Sequence, residues 1–303
     1  MKKLIDYISS ELKISNKALL EKDIILHNIL CILEEDDFFR KNFVFKGGTC
    51  LTKCYLGYYR FSEDLDFTWI DQKIFDGKTQ KEIRKILSLE INKTTSILEK
   101  IAQKLYLDFK PDKTNKKYIE IGGSNKFITF KLWYKSAMLD TTQFVKIQIN
   151  FMELLQHKFQ LINAKSLMEQ LNSTELSFLF PEEAINLIKS PKVNCYSIKE
   201  ILIEKFRAIL TRRTIKARDF IDIFMICDTE NINPMVFRNE IINKTKYILR
   251  YDKYIQNLKN FDIEKQIWGE EEKLLLKELP KGYPKFLKEI QIFCKSLSDE
   301  LLY

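Results

Sequence analysis

Histidine is almost missing from this chain: among 303 residues only His27 and His157 occur. Neither stands in a recognisable nucleophile or metal setting, so a His-based triad is not expected. Glycine is also scarce, 8 residues against a usual ~7% of positions, so each glycine in a sharp turn carries information. No apolar stretch approaches the ~18 residues of a membrane-spanning helix, and Asp6 interrupts the start where a signal peptide would be apolar. The expectation is a cytoplasmic protein with no membrane association. Cysteine is present, six residues, but scattered through apolar segments in a chain long enough to bury a core without staples. Cys50 and Cys54 stand at i,i+4 spacing and can share a helical face. A structural zinc takes four ligands, and only the two histidines exist elsewhere to complete such a set, so zinc is not expected.

What is there is globular: 45% hydrophobic and 30% charged residues, with a net charge of +8. That excess permits phosphate-bearing partners without demanding them. Apolar spacing predicts helices over residues 1–39, a strand at Phe43–Lys46, a helix after Gly47-Gly48, a strand from Asp64 to Trp69, and a long helix at about 78–104. Segments 105–109, 117–121, 126–134 and 144–152 alternate with period two, most clearly in FITFKLW and FVKIQIN, and read as an antiparallel run with Gly122-Gly123-Ser124 as a tight turn. The basic run at 110–117 reads as a solvated hairpin tip. Beyond Pro181 the pattern is helical, with Ser197 and Glu200 as a capping box. The fold class is therefore α+β up to about 155 and helical beyond about 195, the stretch between being ambiguous.

Three segments can carry chemistry. Gly47, Gly48 and Thr49 sit between a strand and a helix, with Lys53 a turn later; backbone N–H groups there can cradle a phosphate, or the segment is a plain turn with Thr49 as N-cap. Asp64 and Asp66 share one face of a strand, about 7 Å apart, while Leu65 and Phe67 face the core. Two such carboxylates can converge on a hard divalent cation, or they form the solvated face of an edge strand. Downstream, Lys205 falls on an apolar helical stripe, where it snorkels or meets an anion. Asp219 and Asp222 share a face of the next helix; Asp219 can cap that helix or pair with Arg218 or Lys205.

Taken together, K-G-G-T-C-L-T-K at 46–53, R-F-S-E-D-L-D-F at 60–67 and EKFRAILTRRTIKARDFIDIF at 204–224 resemble the AbiEii/AbiGii nucleotidyltransferase family, relatives of the MenT toxins. The resemblance implies a nucleotidyltransferase-like mixed sheet flanked by helices at 1–195, with its core at about 40–155, and a helical C-terminal domain at 196–303. It implies the toxin half of a toxin–antitoxin or phage-defence pair, with a cognate antitoxin as partner. Gly47, Gly48, Thr49 and Lys53 match the family's nucleotide-binding motif, Asp64 and Asp66 its metal-binding pair, and Lys205 and Asp219, accompanied by Arg218, its downstream lysine and aspartate that close over the nucleotide. There is one departure from the wider pattern: FVKIQIN offers Lys146, Gln148 and Asn150 on one face, with no third carboxylate. Asp140 and Glu153 are the nearest acids, and Asp219 or the triphosphate itself is left to complete the site.

The expected activity is Mg²⁺- or Mn²⁺-dependent transfer of a nucleoside monophosphate from a nucleoside triphosphate to a hydroxyl. Arg212, Arg213, Lys216 and Arg218, with the run at 110–117, suit an RNA end such as tRNA as the acceptor. The alternatives are phosphoryl transfer at the same metal site, or a non-catalytic protein that binds nucleotide, RNA or an antitoxin.

Overall fold

Several helix starts follow from side-chain caps. In the computed structural model, which describes residues 1–263 and 271–303, α1 (Lys2–Glu11) leads to α2 (Lys17–Glu35), where the Asn16 side chain accepts from Leu19 N at 3.1 Å. Asp36 likewise caps α3 (Asp37–Asn42) through Phe39 N, 2.8 Å. Strand β1 (Phe43–Lys46) runs into α4 (Gly47–Cys50), which continues as a π-helix over Leu51–Leu56. Then come β2 (Asp64–Trp69) and α5 (Gln80–Lys104), which opens on a reciprocal Thr79–Glu82 capping box and buries Ile83, Leu87, Ile91 and Leu98 on one stripe.

Strands β3 (Ile119–Gly122), β4 (Phe127–Lys135) and β5 (Thr142–Asn150) form the antiparallel run that the alternation predicts. Segment 105–109 does not join it as a strand. Tyr106 turns through a left-handed φ of 54° directly after α5, and only Asp108 bridges to Trp133. The basic run at 110–117 is correspondingly no hairpin tip but a loop entering β3, folded by Asp112 and Asn115 side chains that accept from Thr114 N and Lys117 N.

The ambiguous stretch contributes to the sheet. It supplies β6 (Gln160–Asn163), α6 (Ser173–Leu179), α7 (Ala184–Leu187) and β7 (Lys192–Cys195). The sheet thus extends past residue 155, in the order β3-β4-β5-β2-β1-β7-β6. It is mixed: β2 runs parallel to β5 and β1 parallel to β7, while β1 and β2 are antiparallel. Its core is rich in aromatics, with Phe43 stacked on Phe39 at 4.5 Å and edge-on to Trp69 at 5.2 Å.

The chain divides into two compact units, residues 1–153 with 159–195, and residues 154–158 with 196–303. The second is helical: α8 (Ile198–Thr211), α9 (Ala217–Glu230), α10 (Arg238–Leu249), α11 (Asp252–Lys259) and α12 (Tyr283–Leu302). Ser197 caps α8 through Glu200 N at 3.2 Å. The other half of the expected capping box is not made. The buried Glu200 carboxylate instead pairs with Lys244 and accepts from His157 N at 2.8 Å, which ties 154–158 into this unit. Among the described residues no helix is long and apolar enough to cross a membrane.

Truncating Phe43, 3% exposed, removes the ring that Phe39, Trp69 and Phe151 share. Phe43→Ala is expected to destabilise the first unit by about 3–5 kcal/mol, read from urea unfolding followed by tryptophan fluorescence. A loss below about 1 kcal/mol would show that the cluster collapses around the gap.

Candidate active site

The antiparallel β1–β2 register sets Lys46 opposite Asp66 and brings the start of α4 against the acidic strand. Gly47 has φ +80°, and a Cβ built there would lie 2.4 Å from Asp66 Oδ2. A Cβ on Gly48 would lie 2.4 Å from Arg60 Nη2. Gly47 is therefore required by its positive φ and by the carboxylate packed on it, while at Gly48 a guanidinium packs directly on the turn. Arg60 is itself buried, 2% exposed, and donates to its neighbour Phe61 O at 2.7 Å. Thr49 is not an N-cap: its hydroxyl is buried and donates to the carbonyl of Asp64, fastening the turn to β2.

Asp64 and Asp66 are both half-buried, while Leu65 and Phe67 between and beside them are buried. The alternation expected of the strand is present, and it accounts for two aspartates in a β-strand: neither faces the core. The parallel register with β5 places Lys146 opposite Asp64 and Gln148 opposite Asp66, with Lys146 Nζ 3.9 Å from Asp64 Oδ1. Partly exposed oxygen donors on one face fit a hard cation of the Mg²⁺ or Mn²⁺ type. No carboxylate on β5 joins them. Asp140 lies beyond the strand, highly exposed and paired with Lys135 at 3.3 Å. Glu153 is buried against Lys46 Nζ at 3.1 Å and accepts from Asn150 Nδ2 at 3.2 Å.

The structure places Lys53 differently from a phosphate-contacting lysine. Its side chain is 0% exposed and its ammonium is held by Asp23 Oδ1 at 2.9 Å and by Tyr58 Oη. Tyr58 in turn donates to Asp23 Oδ2 at 2.9 Å, and burial pushes its pKa well up. This enclosed triad anchors the π-helix to α2, so Lys53 positions the glycine turn from behind.

The downstream motif lies in the second unit. Lys205 meets an anion, as one of its two expected roles requires: Nζ lies 2.9 Å from Asp219 Oδ1 and 2.5 Å from Asp222 Oδ2. Arg212 holds the other oxygen of Asp219. Both acids are buried. Burial pushes the Asp219 pKa up, but the Arg212 and Lys205 charges outweigh it and hold the carboxyl below its ordinary 3.8. Arg218 is half-buried and makes no ion pair among the described residues. Arg60 and Asp23 escaped the sequence reading, and Arg212, expected among the basic groups facing an RNA end, is engaged by Asp219. The signal for Arg60 was its place at the head of the acidic motif; Asp23 carried none, since partners distant in sequence define it.

Two predictions follow from this geometry. Gly47→Ala is expected to cost more stability than Gly57→Ala, because Gly57 also has positive φ, +71°, but nothing within 4 Å of its Cβ position. Equal melting shifts would contradict the close approach of Asp66. For Asp219, the folded pKa lies below the unfolded one. Its ionised form therefore stabilises the fold at pH above 3.8, and that contribution is lost as pH falls through the folded value. Asp219→Asn is expected to flatten the acid limb of the unfolding midpoint between about pH 5 and pH 2; an unchanged limb would refute the pairing.

Comparison with known proteins gives the context. No protein of curated function matches the chain. Among solved structures it is similar to JHP933 from Helicobacter pylori, with 17% identity, 93% of each chain covered and a TM-score of 0.46. A second Helicobacter pylori structure shares 18% identity over 95% of this chain and 97% of the other, TM-score 0.45. An antigenic nucleotidyltransferase-like protein from Paracoccidioides brasiliensis shares 16% over 69% and 77%, TM-score 0.35. The sequence model of one family matches residues 29–293, a span that contains every motif described above. The chain belongs to that family, the nucleotidyl transferase AbiEii toxins of type IV toxin–antitoxin systems.

Proposed function

We propose that this chain transfers a nucleoside monophosphate from a nucleoside triphosphate to a hydroxyl at an RNA 3′ end, tRNA being the acceptor class its basic segments favour. The observation that carries the proposal is the Asp64–Asp66 pair, half-buried on one strand face, with Asp66 packed against Gly47 and the Asp64 carbonyl held by Thr49. The acceptor hydroxyl oxygen attacks the α-phosphorus and gives its proton to solvent, one P–O bond forming as the bond to pyrophosphate breaks. Asp64 and Asp66 would hold a Mg²⁺ or Mn²⁺ ion, which supplies neutralisation of phosphate charge when bound. Gly47 and Gly48 let the chain turn tightly beside those carboxylates. Thr49 and Lys53 act as positioning residues, one hydrogen-bonded to Asp64 O and the other locked on Asp23.

In the second unit, Lys205 already carries two carboxylates. We assign it and Asp219 a positioning role, and assign Arg218, which makes no ion pair among the described residues, to nucleotide binding. Arg213 is exposed, whereas Arg212 is engaged by Asp219, so Arg213 is the better placed to meet an RNA phosphate. A cognate antitoxin and a cytoplasmic setting, where triphosphates and tRNA are plentiful, complete the proposal. The missing third carboxylate on β5 favours one rival, a chain that binds nucleotide without turning it over.

The test is incubation of the protein with Mg²⁺, each α-³²P-labelled nucleoside triphosphate and total tRNA. Label on tRNA with the wild-type chain alone is expected. Asp66→Asn should lower transfer by on the order of 10³-fold, the loss of several kcal/mol of charge stabilisation, while leaving the unfolding midpoint in place. Wild-type turnover in that variant would defeat the proposal, and nucleotide binding without any transfer would establish the rival.

A further inference from the structure

Three of the six cysteines converge behind the glycine turn. Cys50 follows Thr49 at the end of α4, Cys54 lies in the π-helix, and Cys195 ends β7, where it pairs in register with Phe45 of β1. All three are free thiols, and their sulfur atoms lie within 4.8 Å of one another. Cys50 and Cys195 are 0% exposed and Cys54 is half-buried. A buried cysteine is usually an inert small hydrophobe. Here three thiols lie side by side, and Cys195 Sγ also donates to Gln160 O at 3.5 Å.

The surroundings suit a bound cation. Tyr55 Oη stands 3.6 Å from Cys195 Sγ and donates to Gln160 Oε1 at 3.1 Å, an outer contact of the kind that orients ligands. The two helical cysteines lie on a stretch that includes π winding, which recurs at functional sites. Metal–sulfur bonds of about 2.3 Å require sulfur separations near 4 Å, so closure on an ion calls for shifts of under about 1 Å. The donor set is all sulfur. It rejects Mg²⁺, a hard cation suited to the carboxylates of β2, and selects soft or borderline ions.

We propose that Cys50, Cys54 and Cys195 form a three-thiolate site for a thiophilic d¹⁰ cation, Cu⁺ or Zn²⁺. Each thiol that binds gives its proton to solvent, and no electron transfer is involved. Three sulfurs alone complete a trigonal Cu⁺ site. Zn²⁺ requires a fourth donor, for which the Tyr55 hydroxyl is adjacent. The ion would tie the helix that carries Gly47, Gly48 and Thr49 to β7, giving the turn a second anchor beside the Lys53–Asp23 pair. The inference rests on the sulfur geometry and stands apart from the transferase reading.

The full chain, reduced with a phosphine and stripped with chelator, would be loaded anaerobically with Zn²⁺ or Cu⁺ in separate arms, desalted and assayed for metal. Retention of about one equivalent of either ion is expected, with a higher melting temperature. The same is expected of Cys227→Ser, whose thiol lies outside the cluster. Cys195→Ser should lose the metal; Cys54→Ser, at the half-buried position, serves if Cys195→Ser does not fold. Loss of Zn²⁺ but not Cu⁺ in Tyr55→Phe would identify the hydroxyl as a fourth ligand. Failure of the wild-type chain to retain either ion, or equal retention by the folded cysteine variant, would overturn the proposal. So would conversion of these thiols to a disulfide with no metal bound under the same reducing conditions.

Discussion

The space left by the missing side chain of Gly47 is what the acidic site depends on. Asp66 can lie against the turn only because no Cβ stands there, and the turn reaches Asp66 only because β1 and β2 pair with Lys46 opposite it. A slip of one residue in that pairing would rotate both aspartates towards the core and Leu65 and Phe67 towards solvent, a change the buried aromatic cluster opposes. The Thr49 hydroxyl on Asp64 O and the Arg60 guanidinium over Gly48 hold the same register from two further directions. Site geometry and sheet register are thus a single constraint.

Buried ion pairs do the remaining positioning. Lys53 with Asp23, Lys46 with Glu153, and Lys244 with Glu200 each bury a cation on a carboxylate. The cluster of Lys205, Asp219 and Asp222 does so with three groups, joined at Asp219 by the half-exposed Arg212. Desolvation cancels much of the attraction in such pairs, so their contribution to stability is modest, yet removing one partner strands a charge and costs several kcal/mol. They hold an arrangement in place better than they raise its stability. That suits a site whose carboxylates must stay half-exposed.

Local pattern made much of this legible. The β1 and β2 strands, the 78–104 helix and the alternation of Asp64 and Asp66 appear where apolar spacing places them, because each is determined by neighbours within a few residues. Features set by distant partners were not legible. Segment 105–109 has strand-like composition, but Tyr106 turns the chain before it can pair. Strands β6 and β7 are short and acquire their identity only from β1 and from each other. Lys53 reads as a phosphate ligand until Asp23 is brought to it, and Cys50 and Cys54 read as an incomplete pair until the sheet delivers Cys195. Glu200 fits a capping box until Lys244 draws its carboxylate away.

The claim that the strand face of Asp64 and Asp66 receives a divalent ion together with the triphosphate is central. It is tested most directly by Mn²⁺ titration followed by electron paramagnetic resonance, with and without a nucleoside triphosphate analogue that cannot be cleaved at the α-phosphorus. The account predicts that the analogue tightens Mn²⁺ binding to the wild-type chain, and that the folded Asp64→Ala/Asp66→Ala variant loses both the binding and its dependence on nucleotide. Equal Mn²⁺ binding by the two proteins would contradict it.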